Sequence, residues 1–148
     1  MKMKIKEVEA NRHINDLIEL SALWEAENSC RGYVKNTADE FEGKRVFAAF
    51  DGEKVVGYLF GCGEKAKNSS SVMPDGTEYF EVDEIYVLPE YRGKGIGKKL
   101  FEHAEKALKD EYGFIMLSTA TKDYKKILHF YIDELGMEFW HARLFKSL

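Results

Sequence analysis

A chain of 148 residues, 45% hydrophobic and with a formal net charge of −4, can bury one substantial core but not two, and it lacks the basic excess of a general nucleic-acid binder. Cys30 and Cys62 lie far apart with no Cys-x-x-Cys pair, and His13, His103, His129 and His141 show no metal-ligand spacing, so neither a disulfide framework nor a metal site is indicated. No apolar run is long enough to span a membrane, and Met1-Lys2-Met3-Lys4 leads into a charged strand rather than a signal peptide. The expectation is a cytoplasmic protein of one domain, 1–148, with no nucleic-acid or membrane partner; a homodimer is left open.

In chain order, a strand is expected over 3–8. Asn11 is placed to cap a helix running to residue 27, whose apolar face is Ile14, Leu17, Ile18, Leu20, Leu23 and Trp24. An irregular joint, Asn28-Ser29-Cys30-Arg31-Gly32-Tyr33, precedes a short helix over 38–42 that Thr37 can cap. Strands over 45–50 and 55–62 flank Asp51-Gly52-Glu53-Lys54, a hairpin signal, and Gly57, Gly61 and Gly63 mark twist or the close approach of another backbone. The polar stretch 65–76 reads as a loop over the substrate cleft. A strand over 82–88 stops at Pro89, a helix occupies 97–111, and a buried strand follows over 114–119. Asp123 caps a last helix that Gly136 closes, and 137–145 forms a final strand. The order β-α-α-β-β-β-α-β-α-β gives an α/β fold, a single mixed sheet flanked by helices and parallel only across the crossover at 97–111.

Between that strand and that helix lies Arg92-Gly93-Lys94-Gly95-Ile96-Gly97-Lys98-Lys99. Glycines at alternate positions let the backbone turn its N–H groups toward one point, and the first amides of a helix have no partners within it. The geometry suits an anion, most naturally a pyrophosphate. The lysines fit this reading, because cations at a helix N-terminus oppose the macrodipole unless an anion lies between. A flexible turn with a solvated basic patch is the plainer alternative. A Walker loop is excluded because Lys98 is followed by Lys99 and Arg92 occupies the first glycine position; a Gly-x-Gly-x-x-Gly fingerprint begun at Gly93 would need glycine at Lys98.

The pattern Arg92-x-x-Gly95-x-Gly97, preceded by Val87-x-Pro89, resembles the coenzyme A pyrophosphate loop of the GNAT superfamily of acetyltransferases. The resemblance is specific over 81–108 and again over 124–137, where Phe130-Tyr131 and Gly136 are similar to the family's Phe-Tyr-x-x-x-x-Gly pattern. It implies that acetyl-CoA is held by Ile85, Tyr86, Val87, Arg92, Gly93, Lys94, Gly95, Ile96, Gly97 and Lys98, that a backbone N–H near Val87 polarises the thioester carbonyl, and that Tyr131 is the general acid toward the leaving thiolate. Tyr131 also falls on the apolar face of its helix, where it would serve as a core aromatic. One departure stands out: Tyr124 occupies the position where the family often has a cofactor-binding asparagine.

Acyl transfer to an amine also needs a proton acceptor. Glu81 and Asp83 share one strand face by period two while Glu84 faces the other way; in polyamine-type relatives the acidic residue four places before the Val of Val-x-Pro, here Asp83, is the proposed base. Solvated carboxylates are the alternative. The histidines read as structural, with His141 able to approach the acceptor. Glu25, Glu27, Asp39, Glu40 and Glu42 around the early joint, and an Arg143-Leu144-Phe145-Lys146 ending similar to diamine acetyltransferases, favour a small cationic amine, a polyamine or aminoglycoside-like compound, acetylated by direct transfer. A catalytically silent coenzyme A-binding sensor or scaffold of the same fold is the alternative function.

Overall fold

The computed structural model describes residues 2–148. Five strands form one sheet in the order β1-β2-β3-β4-β5: β1 (Met3–Val8), β2 (Arg45–Asp51), β3 (Lys54–Lys65), β4 (Glu78–Val87) and β5 (Phe114–Leu117). Neighbours pair antiparallel except β4 and β5, which are parallel as expected for strands joined by a helical crossover. The hairpin forms where Asp51-Gly52-Glu53-Lys54 signals it, with Asp51 opposite Lys54.

Helix α1 (Ile14–Glu27) covers one face of the sheet and α2 (Ile96–Leu108) the other. Leu17 and Leu20 of α1 are buried against the side that carries Tyr58 and Phe60. Leu100, Phe101, Ala104 and Leu108 of α2 recur at helical spacing and are buried on the side of Phe47 and Leu59. Asn11 does not cap α1: a 3-10 turn, Ala10–His13, precedes the helix, and neither makes a side-chain cap bond. The expected short helix after Thr37 is a 3-10 turn, Ala38–Phe41, which buries Phe41 against Phe60.

Gly61 answers to close approach: a Cβ there would lie 2.0 Å from the Glu81 carbonyl oxygen. The site is also where the β3–β4 ladder slips, with Phe60 opposite Glu84 and Gly61 opposite Val82, so that Asp83 is an extra residue in β4.

Two expectations change at the C-terminal end. Helix α3 (Tyr124–Leu128) widens into a π-helical turn (His129–Glu134) in which the Leu135 N–H reaches back to the Phe130 carbonyl. Gly136 then ends the helix at φ 73°. The strand expected over 137–145 is not formed, so the sheet has five strands rather than six. Its β-favouring residues find no ladder partner, and Phe139, Leu144 and Phe145 stay exposed. The segment is held by side chains instead: Trp140 Nε1–H donates to Ser71 Oγ at 3.1 Å, and the Arg31 guanidinium lies 5.0 Å from the Phe145 ring.

Candidate active site

Strand β4 outruns β5. The parallel pairing covers only Tyr79 to Val82, so from Asp83 onward β4 has no partner strand on that side. On its other side the Leu88 N–H donates to the Val56 carbonyl at 2.9 Å. Antiparallel alternation then turns the polar groups of Tyr86 and Glu84 toward β3 and those of Ile85 and Val87 toward the open side. A short extended segment of ligand could therefore pair with Ile85 and Val87.

At the end of β4 the chain makes a 3-10 turn, Pro89–Tyr91, and enters the glycine-rich stretch. Gly95 is the N-cap of α2 at φ 78°, in the left-handed region where a side chain is strained, and a Cβ there would point into open space. No side chain caps the helix, and its first turn contains no acidic residue. Among the described residues no amide of residues 93–98 donates to another protein group. Lys94, Lys98 and Lys99 are exposed around these amides. Unpartnered donors, a helix N-terminus and lysines with no carboxylate between them fit a pyrophosphate.

Arg92 is placed differently from its neighbours. Its Nε–H donates to the Val87 carbonyl at 2.8 Å, and its two terminal nitrogens donate to Glu27 Oε1 and Oε2 at 2.8 and 3.0 Å. Glu27 also accepts from the Tyr86 hydroxyl. Glu27, expected among the carboxylates that favour a cationic acceptor, is instead committed to Arg92 and Tyr86, and the pairing is not legible in the sequence, since Glu27 and Arg92 are 65 positions apart.

The extra residue in β4 corrects the face assignment. Glu84 opposes Phe60 and Glu81 opposes Cys62, and Phe60 and Cys62 lie two apart on β3; Glu84 therefore shares the face of Glu81 instead of opposing it. The three carboxylates meet different surroundings. Asp83 is exposed and ion-paired with Lys44 Nζ at 2.5 Å. Glu84 is enclosed: the Tyr58 and Tyr33 hydroxyls each donate to Oε1 at 2.8 Å, and Asn36 Nδ2 reaches both oxygens at 3.0 Å. Burial pushes its carboxyl above the ordinary value, against the pull of those hydrogen bonds. Glu81 is half-buried without such partners, and its carboxyl is raised by burial first and then by the charges of Asp83 and Glu64.

The cage around Glu84 extends outward. Ser21, fully buried on α1, lies 2.6 Å from the Tyr33 hydroxyl and accepts the Asn36 N–H at 2.8 Å, so the joint after α1 is fastened to β4 by side chains. Tyr33, Tyr58, Asn36 and Ser21 are functional candidates that sequence reasoning misses; only Tyr58 carries a readable signal, as a polar aromatic one strand over from the carboxylates. Glu25 is also engaged, accepting the Lys35 N–H at 2.9 Å, while Asp39, Glu40 and Glu42 remain exposed. The joint is closed from its other side by the loop after β5, where the Arg31 N–H donates to the Ala120 carbonyl and the Lys122 N–H to Ser29.

Tyr131, on the π-helical turn, is buried to 8% exposure. Its hydroxyl has no hydrogen-bond partner among the described residues, and burial, with the neighbouring Cys30 thiol adding, pushes it up to about 12. The turn lies beside the start of α2, because a Cβ on Gly97 would sit 3.3 Å from the Phe130 ring. Tyr124 is exposed at the first position of α3, and His141 lies in the exposed tail against Trp140.

A cavity of 390 Å³ lies between α1 and the end of β4, lined by Leu23, Ala26, Glu27, Tyr86 and Leu88. A larger depression of 590 Å³, among Glu64, Glu78, Glu111 and Tyr112, lies at the opposite end of β4 and contains no part of the glycine turn. The larger hollow is thus remote from the glycine turn, where the unpartnered backbone donors lie.

The sequence profile described as the Acetyltransferase (GNAT) family matches residues 13–137. No curated protein matches the chain in sequence. Among solved structures, an aminoglycoside acetyltransferase from an uncultured soil metagenomic sample, crystallised with trehalose, aligns at TM-score 0.71 and 19% identity over 99% of this chain and 96% of its own. A transcriptional regulator from Bacillus halodurans C-125 aligns at TM-score 0.72 and 19% identity over 99% of this chain and 100% of its own. The aminoglycoside N-acetyltransferase AAC(6')-Iy in complex with CoA aligns at 0.69 and 15% over 98% of each chain. Identities this low show a shared fold only. The profile spans most of the chain, and the chain belongs to the GNAT family of acetyltransferases.

Proposed function

We propose that the protein is an N-acetyltransferase that uses acetyl-CoA and acetylates a small cationic primary amine, a polyamine or aminoglycoside-like compound, by direct transfer. The observation that carries the reading is the uncapped start of α2 beside an unpaired strand edge: free amides over 93–98 for the pyrophosphate, and the open groups of Ile85 and Val87 for the extended arm. Bound acetyl-CoA supplies the acetyl group already activated as a thioester.

The chain's own groups divide the remaining work. The Val87 N–H is a fixed dipole for the carbonyl oxygen, worth most in a site from which water is excluded. Glu81 takes the amine proton through bridging water, since six positions of strand separate it from Val87: burial raises its proton affinity, and no cation or hydroxyl holds it. Asp83 is occupied by Lys44 and Glu84 is saturated by donors, so we assign them to the site's charge and architecture. Tyr131 is protonated at neutral pH and has a free O–H to give to the departing sulfur as the C–S bond breaks and the C–N bond forms. Neither cysteine is needed as a covalent carrier, and burial raises the Cys62 thiol, which disfavours its thiolate.

A cationic acceptor is supported by the carboxylates gathered on one face of β4, of which one is neutralised by Lys44. Two structural neighbours are aminoglycoside acetyltransferases, and aminoglycosides are polycationic amines. The test is thiol release from acetyl-CoA across a panel of amines. Spermidine, diamines and aminoglycosides should be turned over well ahead of neutral amines, with rates that fall as salt rises. No thiol release with any amine would refute the activity, and equal, salt-independent rates would refute the substrate class.

A further inference from the structure

Arg92 opens the glycine-rich motif, yet every one of its donor nitrogens is directed away from the free amides of that turn. Nε is bonded to the Val87 carbonyl, and the two terminal nitrogens form a two-pronged pair with Glu27, the last residue of α1. The guanidinium lies 5.3 Å from the Tyr86 ring, and the Tyr86 hydroxyl returns to the same Glu27 carboxylate. Behind Tyr86 the stack continues through Trp24, with ring centres 5.1 Å apart, to Tyr33 at 4.3 Å, whose hydroxyl donates to Glu84. Helix α1 is thus fastened to β4 at both ends of one layer of aromatic rings.

We propose that Glu27 is a positioning residue for acetyl-CoA: it holds Arg92 on the Val87 carbonyl, so that Arg92 sets the end of β4 rather than binding the pyrophosphate. The inference rests on the proposed function. Val87 turns both its N–H and its carbonyl to the open side of β4. An uncovered carbonyl there would present negative charge beside the donor meant for a thioester oxygen. Arg92 covers that carbonyl and leaves the N–H as the free group, with a fixed positive charge nearby. Glu27 in turn holds the guanidinium flat against Tyr86, where a lysine could not make the two-pronged pair. The pyrophosphate is left to the amides of 93–98 and to Lys94 and Lys98.

A double-mutant cycle with full kinetics tests this. Glu27→Gln and Arg92→Gln should each lower kcat/KM for acetyl-CoA about tenfold, a transition-state loss of about 1.4 kcal/mol. Because the two act as one unit, the double variant should be no worse than either single variant. The exchanged pair Glu27→Arg with Arg92→Glu restores opposite charges but not a donor to Val87, so its kcat/KM should stay low even where its melting temperature recovers. Recovery of kcat/KM in the exchanged pair would reduce Glu27 to a structural ion-pair partner and overturn the proposal. So would additive losses, which would mean that the two residues act independently, or tighter acetyl-CoA binding in Glu27→Gln, which is expected if Arg92 is a pyrophosphate ligand restrained by Glu27. Absence of acetyl-CoA binding by the unaltered chain, measured by calorimetry, would overturn the proposed function and this inference with it. Binding with a failed cycle would overturn the inference alone.

Discussion

The two halves of the candidate site are built on different principles. The cofactor half, from Val87 to Lys98, is mostly backbone: free amides, a left-handed glycine and a strand edge with no neighbour, all within a dozen consecutive residues. The acceptor half is side chains from four separate segments, with Ser21, Tyr33, Asn36 and Tyr58 converging on Glu84. A backbone site tolerates change in most side chains but not in the conformation of a key glycine. A side-chain site keeps its backbone and loses its function one hydroxyl or carboxylate at a time.

Tyr131→Phe should give the largest effect of a single lost hydroxyl. Removal of the general acid is expected to lower kcat by about 10²- to 10⁴-fold while KM for acetyl-CoA hardly moves. Steady-state kinetics with single-turnover controls checks this, and unchanged turnover where chemistry limits the rate would make Tyr131 a packing residue.

Glu81→Gln should follow, with a loss of about 10²-fold in kcat/KM for the amine. A base whose pKa is raised must still be deprotonated to act. In the parent, kcat/KM should therefore rise with pH through a value above that of an ordinary glutamate, and the variant should lose that ascending limb. Asp83→Asn, by contrast, should keep the limb. The opposite outcome would return the base to Asp83 and would mean that Lys44 releases it on substrate binding.

Glu84→Gln turns the comparison toward stability. An amide in this cage places an N–H₂ group among hydroxyl and amide donors, so a loss of about 1–3 kcal/mol is expected, read as a lower denaturant midpoint. The pH dependence has a defined sign. Because the folded carboxyl is raised, its contribution is complete below the unfolded value and is lost as pH rises through the folded one, and the glutamine variant should lack that slope. The smallest effect is expected for Lys44→Ala: an ion pair at the surface should contribute about 0.2–1 kcal/mol, less at high salt.

What the sequence makes legible follows the same division. Val87-x-Pro89 and the alternate glycines are local, and they locate the turn and the start of α2 within a residue or two. The hairpin at Gly52 and the end of the last helix at Gly136 are legible for the same reason: a positive φ is required at a single position. The orientation of Glu84 is not legible, because the slip opposite Gly61 depends on how two strands pair and reverses a period-two argument. The pairing of Arg92 is hidden similarly, since its partner Glu27 lies on another element. The strand expected over 137–145 has the right residues but no ladder to join, and β propensity becomes a strand only when a neighbour offers its backbone.

The central claim, a backbone-built site for acetyl-CoA at the start of α2, is tested most directly by titrating acetyl-CoA into the unaltered protein and into Gly95→Val by calorimetry, with thermal shifts in parallel. A β-branched side chain at φ 78° strains the turn and points into the space left for the pyrophosphate. The parent should bind and gain melting temperature as ligand rises. Gly95→Val, still folded, should bind at least about a hundredfold more weakly, the consequence of a loss near 2.7 kcal/mol. Equal affinity and equal thermal shift in the two proteins would contradict the account and move the cofactor away from this turn.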